Sequence, residues 1–242
     1  MSESLVIIPT YNEKENIERM LRTVMGLPRV FHVLVVDDNS PDGTQQIIGN
    51  LQEEYPERLH LLARQGKQGL GTAYLAGFRW ALERAYGYIF EMDADFSHDP
   101  HDLERLYQAC AHDGAHVAIG SRYVRGVNVV NWPMSRVLLS YTASRYVRII
   151  LGMPVEDTTA GFVCYRREVL ERIKFKSIKF VGYAFQIEMK YIAFKLGFTL
   201  REVPVIFTDR SLGTSKMSKG IIGEAVLGVL LLRLRSLLRR YR

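Results

Sequence analysis

The chain has 242 residues, 48% of them hydrophobic, and a formal net charge of +6, which suits one α/β domain with a full core and a C-terminal extension. Its two cysteines, Cys110 and Cys164, are too few for a disulfide framework or a zinc site, and its six histidines show no metal-ligand spacing. We therefore expect an intracellular protein that works in a reducing compartment.

The first half of the chain alternates between apolar runs and helical patterns. Residues 5–8 form a short continuous apolar run, which is typical of a strand buried on both faces. Asn12 and Glu15 have the spacing of a capping box, so we predict a helix over 13–25. The elements predicted next are a strand over 31–36, a helix over 43–54, a strand over 59–63, a helix ending near 85, and strands ending at 93 and 120.

Two carboxylates follow the fourth predicted strand. Asp93 and Asp95 come directly after the apolar run 88–92, and their i, i+2 spacing lets both point the same way. Such a pair can share one hard cation, and Mg²⁺ in proteins is usually held by one or two carboxylates plus substrate phosphates. We interpret this segment as a metal site for a nucleotide diphosphate.

The order of elements predicts an α/β fold with a mostly parallel, doubly wound (Rossmann-like) sheet flanked by helices. Ligands of such sheets bind outside the carboxyl ends of the strands. Acidic residues follow three of these ends, so we expect them to meet at one rim: Glu13, Asp37 and Asp38, and Asp93 and Asp95.

The C-terminal segment is both apolar and basic. The apolar run 221–232 is shorter than the roughly 20 residues that span a bilayer, and leucines then form one stripe with five arginines beside or opposite it. This pattern favours an amphipathic helix lying on an anionic membrane surface, although a helix docked on the body is the alternative. We divide the chain into a catalytic domain at 1–220 and a membrane-surface helix at 221–242. A shorter amphipathic helix within 127–152 either lies on the membrane or packs on the sheet.

Several motifs together resemble glycosyltransferase family 2, and more narrowly its polyprenol- or dolichol-phosphate mannose synthases. They occur in the expected order over residues 4 to about 220: Pro9-Thr10-Tyr11-Asn12-Glu13, Asp37-Asp38-Asn39-Ser40-Pro41-Asp42-Gly43-Thr44, Asp93-Ala94-Asp95-Phe96-Ser97-His98, Gly120-Ser121-Arg122-Tyr123, Asn131-Trp132-Pro133, Gly161-Phe162, Glu202-Val203-Pro204 and Arg210-x-x-Gly213-x-Ser215-Lys216. The resemblance implies a GT-A fold, a divalent metal (Mg²⁺ or Mn²⁺), GDP-mannose as donor and a polyprenyl phosphate as acceptor.

The resemblance also assigns site residues. Those matching the nucleotide-sugar pocket are Pro9, Tyr11, Glu13, Val36, Asp38, Asp93, Ala94, Asp95, Arg122, Arg210 and Lys216. The metal ligands would be Asp93, Asp95 and Ser97, although some relatives carry Gln at the last of these positions. The acceptor phosphate would meet Arg122, Arg136 and Ser140, and the catalytic residues would be Asp95, Arg122, Arg210 and Lys216. Four cations in one site require negative charge, which a diphosphate and a lipid phosphate supply.

The acceptor decides the mechanism that we predict. A phosphate monoester is already anionic at pH 7, so it needs no general base and can attack the anomeric carbon directly with inversion. Glu188, which follows Gln186 where relatives keep a catalytic acid, lies in the helical run 185–196 and is equally a structural residue. Asp157 is a secondary candidate on the acceptor side.

Two other functions compete with mannose transfer from GDP-mannose. The first is the same reaction with UDP-glucose or another UDP-sugar as donor, and the second is a membrane regulator that binds a nucleotide sugar without turnover. A dehydrogenase is disfavoured because no Gly-x-Gly-x-x-Gly follows the first strand, and a nucleic-acid partner because no basic stripe with interleaved aromatics occurs. The N-terminus enters a strand at once, so we expect a peripheral protein on the cytoplasmic face of a membrane. Many relatives carry transmembrane helices, so a membrane-anchor or flippase partner would supply that function here.

Overall fold

The computed structural model describes residues 3–182, 184–209 and 220–238. The strands are β1 (Ser4–Thr10), β2 (His32–Asp37), β3 (Leu59–Ala63), β4 (Tyr88–Glu91), β5 (Val117–Ser121), β6 (Val129–Val130), β7 (Val163–Arg166), β8 (Leu200–Pro204) and β9 (Phe207–Thr208). The α-helices are α1 (Ile17–Met25), α2 (Thr44–Glu54), α3 (Leu70–Leu82), α4 (Asp102–Ala111), α5 (Met134–Leu151), α6 (Arg167–Arg172), α7 (Ala184–Lys195) and α8 (Gly220–Leu238).

The central sheet has seven strands in the order β3-β2-β1-β4-β7-β5-β8. Every pairing in it is parallel except those of β7, which runs antiparallel to both β4 and β5. A separate parallel pair joins β6 and β9. The predicted α/β fold with a mostly parallel sheet flanked by helices is thereby confirmed.

Alternating residues of β1 feed two different cores, which is why the strand is apolar throughout. Val6 and Ile8 face the helices α1, α2 and α4, whereas Leu5 and Ile7 face α3, α6 and α7. All four side chains have no accessible surface. Successive side chains of a strand point to opposite faces of the sheet, and helices cover both faces here. Every position of β1 therefore has to be apolar, as the sequence predicted.

A third, smaller core lies between α5, α7 and α8. Val229 and Leu232 of α8 pack against Val147, Tyr191 and neighbouring residues, and each has only 1% of its surface exposed. Gly228 allows this approach, because a Cβ added there would lie 2.7 Å from Cε1 of Phe180. The helix α8 therefore packs on the body with one face, while the proposed division of the chain at residue 220 stays a prediction.

Local details differ from the predicted elements. The capping box at Asn12 is wrong: this residue has φ 57°, its N–H donates to Ser40 Oγ at 2.9 Å, and α1 begins only at Ile17. The contact with the loop after β2 holds Asn12 outside the helix. The strand β4 ends at Glu91 instead of Asp93, and the helix within 127–152 is longer than expected, since α5 has 18 residues.

Candidate active site

Two adjacent aspartates at the carboxyl end of β2 have different roles. Asp37 is fully buried and accepts hydrogen bonds from Thr10 Oγ1 (2.7 Å), Ser40 Oγ (2.6 Å) and Gln45 Nε2 (2.6 Å), so it fixes the turn. Asp38 has 6% of its surface exposed and accepts from Arg64 Nε at 2.6 Å. Arg64 was not singled out from the sequence, and it orients the aspartate that the motifs assigned to the nucleoside.

The other residues assigned to the nucleoside surround this point. Glu13 is half-buried, and its N–H donates to Thr44 Oγ1 at 3.1 Å. Pro9 and Tyr11 are also half-buried, and Lys67 Nζ lies 5.1 Å from the centre of the Tyr11 ring. Val36 has no accessible surface and packs in the core. Their assignment to the nucleoside stays a prediction.

The acidic loop after β4 lies at the same rim. Asp95 has 7% of its surface exposed, and its Oδ1 accepts from the N–H of Ser97 at 3.0 Å, while Asp93 is half-buried. Phe96, between Asp95 and Ser97, has φ 58°, a left-handed conformation that is uncommon outside glycine. Ala94, with 4% exposed, packs into the core below.

A buried histidine supports this loop. His98 stacks on the ring of Phe162 at 4.9 Å, and its Nδ1 accepts from the N–H of Asp93 at 3.5 Å. Burial lowers the pKa of His98 to about 4, so the ring is neutral at pH 7. A neutral ring can serve as the acceptor for this N–H.

Two of the predicted phosphate-binding arginines have carboxylate partners, which the sequence did not indicate. Arg122 donates from Nε and Nη2 to the two oxygens of Asp157, each at 2.6 Å, and from Nη2 to Thr159 Oγ1 at 2.8 Å. Arg136 donates from Nη1 to Asp209 at 3.0 Å and lies 4.0 Å over the ring of Trp132. Protein carboxylates therefore balance part of the charge of these two cations, and the contribution of ligand phosphates stays a prediction.

Arg210 and Lys216, which the motifs assigned to the leaving group, lie outside the described residues. Their roles stay predictions.

A cavity of about 490 Å³ is lined by the acidic loop and by both Arg122 and Arg136. Its polar lining includes Asp93, Asp95, Ser97, His98, Arg122, Arg136 and Ser140. Its apolar lining comes from α5, α7 and α8 and includes Leu139, Ala143, Tyr146, Val147, Ile187 and Val229. Polar and apolar side chains thus share one cavity, which suits a ligand with a polar head and an apolar tail.

Glu188 does not line this cavity. It has 3% of its surface exposed, and its Oε2 accepts from the N–H groups of Lys179 (2.9 Å) and Phe180 (3.0 Å). Burial raises the pKa of this carboxyl. These contacts give Glu188 a structural role in holding residues 179 and 180 against α7.

Comparison with known proteins places this site in a family. The profile of the family described as Glycosyl transferase family 2 matches residues 5–174, which is more than half of the chain. The chain belongs to glycosyl transferase family 2. It is therefore a glycosyltransferase, and the predicted family resemblance is confirmed.

Relatives within this family are closely similar along most of the chain. The polyprenol monophosphomannose synthase of Mycolicibacterium smegmatis is 50% identical over 93% of this chain and 85% of its own length. The undecaprenyl-phosphate mannosyltransferase of Micrococcus luteus is 48% identical over 93% of this chain and 91% of its own.

Solved structures of more distant glycosyltransferases share the fold. A mannosyltransferase from Pyrobaculum calidifontis in complex with GDP-Man and Mn²⁺ has a TM-score of 0.63 at 18% identity, covering 98% of this chain and 64% of that one. A glucosyl-3-phosphoglycerate synthase from Mycobacterium tuberculosis, with Mn²⁺ and UDP bound, has a TM-score of 0.66 at 17% identity, covering 95% and 78%. The predicted GT-A fold is thereby confirmed.

The acidic loop of this family 2 enzyme fits a divalent metal. Asp93 and Asp95 both line the cavity and offer hard oxygen donors. Within residues 3–182, 184–209 and 220–238, no three His, Cys, Asp or Glu side chains form a metal site. Two carboxylates completed by substrate phosphates is the usual arrangement for Mg²⁺, and Mn²⁺ takes the same kind of ligands, so the donor set suits either ion.

Proposed function

We propose that this protein transfers mannose from GDP-mannose to the phosphate of a polyprenyl lipid, with inversion at the anomeric carbon, giving polyprenyl-phosphate mannose. The observation that carries the proposal is one cavity lined by the acidic loop, by two arginines and by apolar side chains of α5, α7 and α8. The acidic loop suits a nucleotide sugar with its metal, and the arginines and apolar side chains suit a lipid phosphate. The names of the two relatives, at 50% and 48% identity, support the same substrates.

The donor would occupy the rim formed by β1, β2 and β4. Asp38 and Glu13 provide carboxylates that can accept hydrogen bonds from a ribose or a base, and Tyr11 provides an aromatic face. Asp93, Asp95 and Ser97 would hold the metal. When bound, the metal would neutralise charge on the diphosphate.

The acceptor phosphate would sit between Arg122 and Arg136, beside Ser140. The guanidinium group is a permanent cation whose N–H groups donate to phosphate oxygens, which makes arginine suited to this position. Asp157 holds Arg122 through two hydrogen bonds of 2.6 Å, so this cation is oriented before the acceptor arrives. Such preorganisation lowers the cost of placing the attacking oxygen.

The chemistry then needs no general base. A phosphate monoester has a second pKa near 6 and is an anionic nucleophile at pH 7. Glu188, the acid nearest to the family position for a base, is occupied by two backbone N–H groups. We infer that catalysis consists of positioning by Arg122 and Arg136 and of charge stabilisation at the departing diphosphate, to which Arg210 and Lys216 would contribute.

We further propose that the protein binds an anionic membrane surface with the outer faces of α5 and α8. On α8 the exposed leucines are Leu227, Leu230, Leu231 and Leu234, and on α5 the exposed apolar residues include Met134, Leu138 and Ile149. Arg145 and Arg148 are exposed on α5 as well. Apolar side chains facing acyl chains beside arginines facing headgroups is the arrangement of an interfacial helix.

The location of the cavity agrees with this orientation. Both α5 and α8 contribute apolar side chains to its lining, so the helices proposed to contact the bilayer are also those beside the proposed lipid site. No helix in the described part of the chain combines the length and the apolar content needed to cross a bilayer. From the exposed leucines and arginines we propose peripheral attachment, and we place it on the cytoplasmic face, with anchoring or flipping of the lipid assigned to a separate membrane partner.

The test is a donor comparison. Purified protein is incubated with polyprenyl phosphate, Mn²⁺ or Mg²⁺, and radiolabelled GDP-mannose, UDP-glucose or UDP-galactose, and label in the organic phase is counted. We expect transfer from GDP-mannose, sensitivity to chelator and a β-linked product. Efficient transfer from a UDP-sugar would assign a different donor, and nucleotide-sugar binding without transfer of any sugar would indicate a regulator.

A further inference from the structure

A lysine is buried beneath the active site and makes no contact with the cavity. Lys190 lies on α7 with no accessible surface. Its Nζ donates to the carbonyl oxygens of Ala160 (2.6 Å), Gln186 (3.2 Å) and Thr158 (3.3 Å). A buried ammonium group is rare and costs folding free energy unless it is well paired, so these contacts call for an explanation.

Two of these carbonyls belong to the segment that orients Arg122. We call residues 157–161 the clamp segment. Asp157 and Thr159 within it accept hydrogen bonds from the guanidinium of Arg122, and Asp157 Oδ2 also accepts from the backbone N–H of Arg122 at 3.0 Å. Thr159, Ala160 and Gly161 line the cavity. Lys190 therefore ties the clamp segment to α7 from below, while Arg122 meets it from the cavity side.

Several charged groups face this ammonium. Glu91 on β4 has no accessible surface, and it is the carboxylate with the largest effect on Lys190, followed by Asp157; Glu202 adds to it and Arg122 opposes it. Burial raises the pKa of Glu91 and lowers that of Lys190, and the opposite charge of each partner counteracts these shifts. Lys190 thus has two separable interactions: a longer-range charge interaction with Glu91 and hydrogen bonds to the carbonyls of the clamp segment.

We propose that Lys190 is a positioning residue for the acceptor side of the active site. By holding the carbonyls of Thr158 and Ala160, it fixes the clamp segment, which in turn aims Arg122 at the acceptor phosphate. The inference rests on the proposed function only for the identity of the acceptor.

The competing explanation is that Lys190 merely neutralises Glu91. The two are distinguished by Lys190→Met, which removes the donors and the charge, and by Lys190→Met combined with Glu91→Gln, which removes both charges. A neutraliser becomes dispensable once its partner is neutral. A positioning residue does not, because the carbonyls of Thr158 and Ala160 still lack their donor. Lys195→Met is the matched control, since Lys195 lies on the same helix and is exposed.

The kinetic experiment measures kcat and the acceptor KM with polyprenyl phosphate, and the Kd for GDP with Mn²⁺ by calorimetry. We expect Lys190→Met to lower kcat/KM for the acceptor by about 10- to 100-fold, as for other small displacements of a positioned group, with the Kd for GDP unchanged. The double variant should remain impaired, and Lys195→Met should match the wild type. Equal losses in acceptor turnover and GDP affinity, or full recovery in the double variant, would overturn the proposal.

A second readout does not depend on turnover. Hydrogen–deuterium exchange followed by mass spectrometry should show faster exchange in peptides covering 157–162 of both Lys190 variants, with exchange at residues 5–10 unchanged. If no acceptor is ever glycosylated, the proposed function fails while this measurement still judges the contact. If Lys190→Met does not fold, the double variant decides, because it buries no unpaired charge. Wild-type exchange in the clamp segment would then refute the role of Lys190.

Discussion

Removing the charge of Asp157, which holds Arg122, should destabilise the fold far more than removing the charge of its sequence neighbour Glu156. Asp157 has no accessible surface and accepts three hydrogen bonds from Arg122, at 2.6, 2.6 and 3.0 Å. Asp157→Asn leaves the guanidinium, whose side chain is only 10% exposed, without its counter-ion. The matched control is Glu156→Gln, because Glu156 pairs with Arg148 at the surface.

The magnitudes follow from burial. Breaking a buried ion pair by removing one partner costs about 3–5 kcal/mol, and we expect Asp157→Asn to fall near the lower end because the amide keeps one acceptor oxygen. Arg148 and Glu156 have side chains 43% and 40% exposed, so solvent screens their pair and its loss should cost less than about 1 kcal/mol. Domains have total stabilities of about 5–15 kcal/mol, so the Asp157→Asn protein should still fold.

The difference in stability between the wild type and Asp157→Asn should also depend on pH. Burial by itself raises the pKa of Asp157, but the charge and hydrogen bonds of Arg122 outweigh it and hold this pKa below the usual 3.8. A carboxyl whose folded pKa is lowered stabilises the protein fully above its unfolded pKa and loses that contribution as pH falls through the folded value. The wild type should therefore lose its advantage over Asp157→Asn only below about pH 4.

Urea unfolding followed by circular dichroism, from pH 7 down to pH 3.5, measures both effects. We expect equal urea dependences and a shifted midpoint, which assigns the change to stability. A loss at pH 7 no larger than that of Glu156→Gln would contradict the reasoning. So would a gap between wild type and Asp157→Asn that already closes well above pH 4.

Three further changes probe other parts of the molecule. Asp95→Ala should abolish transfer while leaving the thermal midpoint near that of the wild type, and full activity in chelator would contradict the metal assignment. Gly77→Ala should lower the free energy of unfolding by about 1–3 kcal/mol, because its Cβ would lie 2.7 Å from Cγ2 of Ile7. Gly49→Ala, whose Cβ would have no atom within 4 Å, should instead stabilise α2 by about 0.5–1 kcal/mol. Equal shifts of the two melting temperatures in calorimetry would refute the packing argument. Leu231→Glu with Leu234→Glu should reduce sedimentation with anionic vesicles and leave the midpoint unchanged, because both leucines are exposed; unaltered vesicle binding would place the membrane contact elsewhere.

Local pattern was enough to predict β1 to β5 and the edge of the sheet at which their carboxyl ends meet, whereas β6 to β9 were not predicted. A strand covered on both faces has to be apolar at every position, so β1 and β2 are visible in the sequence without any knowledge of their neighbours. Parallel strands place their carboxyl ends at one edge, so the convergence of Asp38 and Asp95 followed from the order of elements. The family resemblance rests on motifs at the same strand ends, and comparison with known proteins confirmed it.

Contacts between distant segments were not predictable in this way. The helix start near Asn12 was wrong because a hydroxyl 28 residues later, on Ser40, binds its N–H and keeps it out of α1. The carboxylate partners of two arginines were not predicted, because Asp157 is 35 residues from Arg122 and Asp209 is 73 residues from Arg136. Such pairs leave no periodic signal.

Both interpretations of the tail find support in the structure, which the sequence alone could not reveal. The leucine stripe at Leu227, Leu230, Leu231 and Leu234 is exposed as an interfacial helix requires, yet Val229 and Leu232 are buried against α5 and α7. The periodicity of α8 determined which residues share a face. Only the tertiary structure decided which face the body covers, because burial depends on the shape of the neighbouring helices.

Lys190 shows most clearly what could not be predicted from the sequence. In the sequence it is one lysine in a helical run, where a solvated position is the ordinary expectation. In the structure it has no accessible surface, and its ammonium group donates to carbonyls of the clamp segment. The sequence by itself determined β1 to β5, the edge at which they end and the family, since each depends on residues close together in the chain. The contacts that Lys190 and Arg122 make with the clamp segment were decided by folding, which brings three separate segments within hydrogen-bond distance.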